Sequence, residues 1–121
     1  IDPNDPVSYV NRAFEYLQKG DYVRAIADYS KAIGLDANRS DAYQGRAWAH
    51  LKTGKPVDGL ADVERSLQIK PDNAQALDTR GHIFEALGRR DDAIADFRRA
   101  LAIEPRMRGS REGLQRLGVG R

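Results

Sequence analysis

The chain has 121 residues, a formal net charge of +2 and no cysteine. It is long enough for one domain with a buried core, and it offers no disulfide, thiolate nucleophile or cysteine-ligated metal. The net charge is too small to indicate a nucleic-acid partner. No apolar run reaches the roughly 18 residues of a membrane-spanning helix, so no membrane partner is predicted. Nothing in the composition indicates a compartment.

The sequence repeats itself with a period of 34 residues. Segments 6–39, 40–73 and 74–107 align without a gap. The columns that agree are Gly20, Gly54 and Gly88; Arg12, Arg46 and Arg80; Asp28, Asp62 and Asp96; and Leu35, Ile69 and Ile103. A fixed period of this length is typical of stacked units that share one extended core. It favours a binding surface over a catalytic pocket.

Each unit carries two apolar stripes at helical spacing. In the first unit, Tyr9 and Ala13 belong to one stripe, and Ile26 and Tyr29 belong to the next. Gly20 lies between the stripes, where a residue with a left-handed backbone conformation ends a helix at little cost. Every unit is therefore predicted to be an antiparallel pair of helices of roughly 13 residues each.

The arginine and aspartate columns recur together in all three units. We interpret them as ion pairs between neighbouring helices, because the guanidinium fork fits a carboxylate. The functional alternative is a ladder of basic side chains in a groove.

These residues resemble the tetratricopeptide repeat. The resemblance is carried by Gly20, Asp21, Tyr22, Ala25, Tyr29, Ala32 and Leu35 in the first unit and by Gly88, Ala93, Phe97, Ala100 and Pro105 in the third. It implies an all-α fold, a right-handed α-solenoid of antiparallel helix pairs, with residues 1–121 forming a single domain. The chain departs from the family pattern at Ala37, where proline is usual, and at Gly59, where alanine is usual. Glycine inside a helix costs about 0.5–1 kcal/mol, so the second unit is expected to be the weakest.

Both ends of the chain extend beyond the three units. Residues 108–118 carry Leu114 and Leu117 at helical spacing, which predicts a seventh helix that covers the last unit, as the caps of solenoids do. Gly118 and Gly120 are expected to end it. At the other end, segment 1–4 has the pattern of segment 69–72, so we expect it to be the tail of a preceding repeat in a larger protein.

In tetratricopeptide repeat proteins the first helices line a concave groove that accepts extended or helical peptides. The resemblance places ten residues of this chain in such a groove: Val10, Asn11, Phe14 and Leu17; Gln44, Trp48 and Leu51; and Asp78, His82 and Glu85. One column, Phe14, Trp48 and His82, carries a ring in every unit. Exposed rings in a concave surface are typical interaction anchors. The alternative is that these rings only pack along their own helices. The acids suggest a ligand with an apolar anchor and a basic or hydrogen-bonding end.

One branch of the family binds the terminal carboxylate of chaperone peptides through a clamp of lysine, asparagine and arginine. The matching positions here are Val10, Phe14, Gly45, Gln75 and Thr79. A clamp requires cationic donors, and none of these residues is one. This specificity is therefore not expected.

Catalysis is not indicated either. The chain has two histidines. His50 stands in the column of Tyr16 and Phe84 and is interpreted as a core residue, and His82 lacks a second histidine or cysteine at metal-ligand spacing. The sequence thus predicts a non-catalytic interaction module without cofactor or metal, which binds a protein or peptide partner. Self-association into a homo-oligomer is the first alternative. A nucleic-acid contact through residues 86–121, which hold nine arginines and five acids, is the second.

Overall fold

The computed structural model describes residues 1–119, which form seven α-helices and no strand. The helices are α1 (Pro6–Gln18), α2 (Tyr22–Leu35), α3 (Ser40–Lys52), α4 (Pro56–Ile69), α5 (Ala74–Ala86), α6 (Arg90–Ile103) and α7 (Arg108–Arg116). Each helix packs on the next, and α1, α3, α5 and α7 also contact one another in series. This arrangement confirms the predicted all-α solenoid of antiparallel helix pairs. None of these seven helices is long and apolar enough to span a bilayer.

The helix ends follow from local side-chain chemistry. The Asp5 carboxylate accepts a hydrogen bond from the Val7 amide at 3.0 Å, and Pro6 occupies the first turn of α1, where no amide hydrogen is needed. The Asn73 side chain caps α5 through the Ala76 amide at 3.1 Å. Gly20 has a φ of 76°, as the predicted left-handed end of α1 requires. These caps separate the stripes into distinct helices.

Helix α7 is a shortened first helix of a fourth unit. It has 9 residues, whereas α5 has 13. Gly118, with a φ of 77°, follows it directly, while Gly120 lies outside the described residues. Because Ser110, Gly113 and Leu114 are buried, α7 covers the end of the stack.

Glycines let neighbouring helices approach closely beside large rings. A β-carbon on Gly45 of α3 would overlap the ring of Tyr29 on α2. One on Gly81 or Gly113 would lie 2.5 Å from ring atoms of Phe97. Phe97 is completely buried, since two helices without side chains at these points close over its two edges. The glycines are thus required by the rings that they face.

Gly59 has a packing role that its column did not suggest. A β-carbon there would lie 2.9 Å from the carbonyl oxygen of Ala47, a backbone atom that cannot move aside easily. The glycine brings α4 against α3 at the point where alanine would collide. Its helix-propensity cost is therefore accompanied by close packing, and the lower stability of the second unit stays a prediction.

The recurring arginines and aspartates form two-pronged ion pairs within each unit. Arg80 Nε and Nη2 donate to Asp96 Oδ2 and Oδ1 at 2.7 and 3.0 Å, and Arg12 and Arg46 pair with their aspartates in the same way. The hydrogen bonds to Asp96 raise the pKa of Arg80 above its ordinary value. The structural interpretation is confirmed, and these guanidinium groups do not form a basic ladder in the groove.

His50 replaces an aromatic core residue in the second unit. Its side chain is 18% exposed, and Nε2 lies 3.6 Å from Asp62 Oδ2. Its Nδ1 atom is buried without a hydrogen-bond partner. His50 is therefore partly buried at the contact between α3 and α4, with one buried nitrogen left without a partner.

Candidate binding groove

Two adjoining cavities run along the first helices of the units. The larger has a volume of about 610 Å³ and is lined by residues of α1, α3 and α5, with Tyr29 of α2. The smaller has a volume of about 370 Å³ and lies between α3 and α5. Trp48 borders both, so the two cavities form one groove.

The structure brings all ten predicted groove residues to these cavities. Those at the larger cavity are Val10, Asn11, Phe14, Leu17, Gln44, Trp48 and Asp78. Those at the smaller cavity, besides Trp48, are Leu51, His82 and Glu85.

The apolar part of the groove is built on α1 and α3. Phe14 is 51% exposed, and Trp48 is half-buried. Val10 and Leu17 pack on the core beneath them, so they form the floor of the groove. The Phe14 and Trp48 rings therefore lie beside open space.

The polar part of the larger cavity contains amides and carboxylates. Its amide side chains are Asn11, Gln18, Gln44 and Gln75, and its carboxylates are Glu15, Asp41 and Asp78. Gln44 Nε2 donates to Thr79 Oγ1 at 2.9 Å, which fixes one amide across α3 and α5. No lysine or arginine is among the lining residues.

Six residues that line the larger cavity are not among the ten predicted: Glu15, Gln18, Tyr29, Asp41, Gln75 and Thr79. The columns of Glu15 and Asp41 hold residues of different types in the other units, so the repeat pattern does not predict either residue as part of the groove. Tyr29 belongs to a second helix and reaches the cavity only because Gly45 leaves room for its ring. Burial, followed by the charge of Asp41, raises the pKa of Tyr29 to about 12.

Helix α7 occupies the acidic end of the groove. Arg116 Nε and Nη2 donate to Glu85 at 3.0 and 2.8 Å, and these hydrogen bonds lower the pKa of Glu85 below its ordinary value. Ser110 Oγ donates to Asp78 Oδ1 at 2.7 Å. The basic group expected near Glu85 is therefore supplied by the chain itself.

His82 links the groove to the core. Its ring makes edge-to-face contacts with Trp48 at 5.6 Å and with Phe97 at 4.9 Å between centroids. Its Nε2 atom lies 3.3 Å from Asp78 Oδ1. His82, the third ring of the column, thus contacts both Trp48 and the buried Phe97, and its side chain is only 15% exposed.

The positions of a chaperone-type clamp are unsuited to hold a carboxylate here. Gly45 lies under the Tyr29 ring, and Thr79 is buried and bonded to Gln44. Val10 and Phe14 offer only apolar surface. Nothing at these positions carries a positive charge to meet a peptide terminus.

Comparison with known proteins identifies the class. Family models described as tetratricopeptide repeat match residues 6–39 and 74–107, together more than half of the chain. The chain therefore belongs to the tetratricopeptide repeat family. Proteins of this family are non-catalytic interaction scaffolds, and so is this chain. No curated protein sequence gives a significant match.

Solved structures agree over nearly the whole chain. The Arabidopsis OM64 TPR domain is similar at 25% identity, with a TM-score of 0.89 and 98% of each chain covered. The second TPR domain of human RPAP3, in complex with the HSP70 peptide SGPTIEEVD, shares 26% identity, with a TM-score of 0.82 and 93% of each chain covered. The first TPR of Spaghetti (RPAP3), bound to the HSP90 peptide SRMEEVD, shares 22% identity over 98% of this chain and 94% of its own, with a TM-score of 0.87, which bears on the fold alone. The right-handed solenoid is confirmed by this agreement.

Proposed function

We propose that this chain binds an extended segment of a partner protein in the groove along α1, α3 and α5. The observation that carries the proposal is the pair of rings, Phe14 and Trp48, that border one cavity of about 610 Å³. A tetratricopeptide fold does not need an exposed phenylalanine and a half-buried tryptophan at these positions. Rings placed this way anchor partners, because they bury a large apolar area at little conformational cost.

The remaining side chains of the larger cavity can bind the main chain of a peptide. Asn11, Gln18 and Gln75 carry both donors and acceptors, so they can pair with the amide and carbonyl groups of an extended peptide. Val10 and Leu17 would contact its apolar side chains. A related TPR domain solved with a bound HSP70 peptide supports a peptide as the class of ligand. The absence of cationic donors at the clamp positions argues against that same peptide here.

The alternatives are less well supported. In the arginine-rich part of the chain, Arg99, Arg108 and Arg116 pair with Asp96, Glu112 and Glu85. These acids reduce the local positive charge that a nucleic-acid contact requires. Self-association predicts a mass that depends on dilution, which sedimentation or light scattering measures directly.

Peptide selection tests the groove. A display library of random peptides is selected against the chain, and selected peptides are titrated while the emission of Trp48, the single tryptophan, is recorded. We expect the emission to shift and Phe14→Ala to weaken binding about tenfold or more, the loss of a hot-spot ring. The matched control is Val57→Ala, which removes a side chain 69% exposed on α4 and should leave binding unchanged.

Two results would refute the proposal. Selected peptides that leave Trp48 emission unchanged and are insensitive to Phe14→Ala bind elsewhere. If no peptide is selected and the chain forms a dimer that persists on dilution, self-association is the better function.

A further inference from the structure

The larger cavity carries negative charge and no positive charge. Glu15, Asp41 and Asp78 line it, and lysine and arginine are absent from its lining. Among residues 1–119, Glu15 makes no ion pair. Asp78 Oδ1 accepts a hydrogen bond from the Ser110 hydroxyl and lies 3.3 Å from His82 Nε2. Both carboxylate oxygens of Asp41 accept hydrogen bonds from Arg39, at 3.1 and 2.6 Å, and Arg39 does not line the cavity. The potential inside the larger cavity therefore favours a cation, whereas Lys52 lines the smaller cavity.

The rings favour a cation for a separate reason. The face of an aromatic ring is electron-rich and attracts ammonium and guanidinium groups. Trp48 already does so within the chain, because Lys52 Nζ lies 4.8 Å from its ring centroid. Phe14 borders the same cavity with half of its surface free. Rings and carboxylates at one cavity thus select the same charge.

From these features we infer that the groove selects a partner segment carrying an arginine next to an apolar side chain. This inference rests on the proposed peptide-binding function. The guanidinium group lies against the Phe14 and Trp48 rings, within the field of Glu15 and Asp41. The apolar side chain packs on Val10. Arginine is preferred over lysine because its planar group stacks on rings and donates to a carboxylate at the same time.

This selectivity is opposite in sign to the peptides found on similar folds. SGPTIEEVD and SRMEEVD are acidic near their carboxyl ends. The same solenoid bears a negatively charged larger cavity here, and peptides of that kind would be repelled by Glu15.

The composition of selected peptides provides the first test. We expect arginine to be enriched beside an apolar residue in peptides whose binding shifts Trp48 emission. Replacing that arginine with glutamine in a synthetic peptide should weaken binding about tenfold, and replacing it with glutamate should weaken it further. Affinity should fall as salt is raised, since partly exposed charges are screened.

Variants of the chain provide the second test. Glu15→Gln with Asp41→Asn should weaken the arginine peptide about tenfold and leave its glutamine counterpart unchanged. The matched control, Asp91→Asn with Glu104→Gln, removes the same charge from exposed sites outside the groove and should have no effect. Glu15→Gln alone repeats the test if the double change lowers stability.

The outcomes separate the two proposals. The charge selectivity is overturned if binding shifts Trp48 emission but its affinity does not depend on peptide charge. It is also overturned if the affinity does not change in the Glu15 and Asp41 variants. In both cases the groove remains the binding site. Enrichment of acidic peptides likewise overturns the charge selectivity and leaves the groove as the binding site. Absence of any peptide whose binding depends on Trp48 and Phe14 overturns both.

Discussion

Gly45 and Tyr29 form one of three corresponding contacts between the second helix of a unit and the first helix that follows it. In the next unit the same two columns hold Thr79 and Val63, which are both buried. Changing Gly45→Thr and Tyr29→Val gives the first contact the residues of the second. This double substitution tests whether the summed size of the two side chains determines how closely successive units pack.

The magnitudes follow from the contact. A β-carbon on Gly45 would overlap the Tyr29 ring, which is only 2% exposed and has little room to move. Gly45→Thr alone should therefore cost about 2–3 kcal/mol of overpacking, less a few tenths gained in helix propensity. Tyr29→Val alone leaves a cavity and should cost about 2–4 kcal/mol. Together the changes relieve each other, so we expect a coupling of about 2 kcal/mol.

The free energy of unfolding of the four proteins is measured by urea denaturation, followed by far-UV circular dichroism. Gly34→Ala is the control, because an added β-carbon there has no atom within 4 Å; it should stabilise the chain by about 0.5–1 kcal/mol. If the stability losses of the two single variants sum to that of the double variant within about 0.5 kcal/mol, the side-chain sizes at the two positions are not energetically coupled. A Gly45→Ala variant that is more stable than the parent chain would also refute this coupling.

Three other properties can be checked by the same denaturation experiment. His50→Phe should stabilise the chain by about 1 kcal/mol, because it removes a buried nitrogen without a partner and restores the ring found at Phe84. Burial raises the pKa of Tyr29 to about 12 from about 10 in an unfolded chain. The folded state thus holds the phenol proton more tightly, so stability should be constant below about pH 10 and fall by up to about 2 kcal/mol as the pH rises through 12, a loss that Tyr29→Phe lacks. Arg80→Met should cost about 3 kcal/mol, because it leaves the buried carboxylate of Asp96 poorly compensated, and Asp96→Leu in the same chain should recover most of that loss. An Arg80→Met variant as stable as the parent chain would contradict the importance of the pair.

The fold could be predicted because its determinants repeat. Gly20 ends α1 in the left-handed conformation that its column implied, and the arginine and aspartate columns pair as their joint recurrence suggested. A residue that recurs in every unit has the same structural role each time, so its three copies support one structural interpretation within a single sequence. That logic extends to the groove columns, since equivalent helices carry equivalent faces to it.

What could not be predicted depends on contacts between different columns. The role of Gly45 is visible only once Tyr29 is known to face it, and the helix propensity of Gly59 does not reveal the carbonyl oxygen of Ala47 beside it. The pairing of Arg116 with Glu85 was missed for a different reason. The sequence pattern predicts residues 108–118 as a cap outside the repeat, although the 34-residue spacing from His82 to Arg116 continues the ring column.

That continuation explains why the groove has one apolar end and one closed end. Along the column, Phe14 is half-exposed, Trp48 contacts His82, and His82 Nδ1 lies 3.3 Å from Arg116 Nη2. Each step towards α7 replaces accessible ring surface with contacts inside the chain. The guanidinium of Arg116 lies beside the third ring and Glu85, which is the kind of contact that we propose for a partner's arginine beside Phe14 and Trp48. Because α7 satisfies this arrangement internally at the third unit, the matching arrangement at the first and second units is left for a partner.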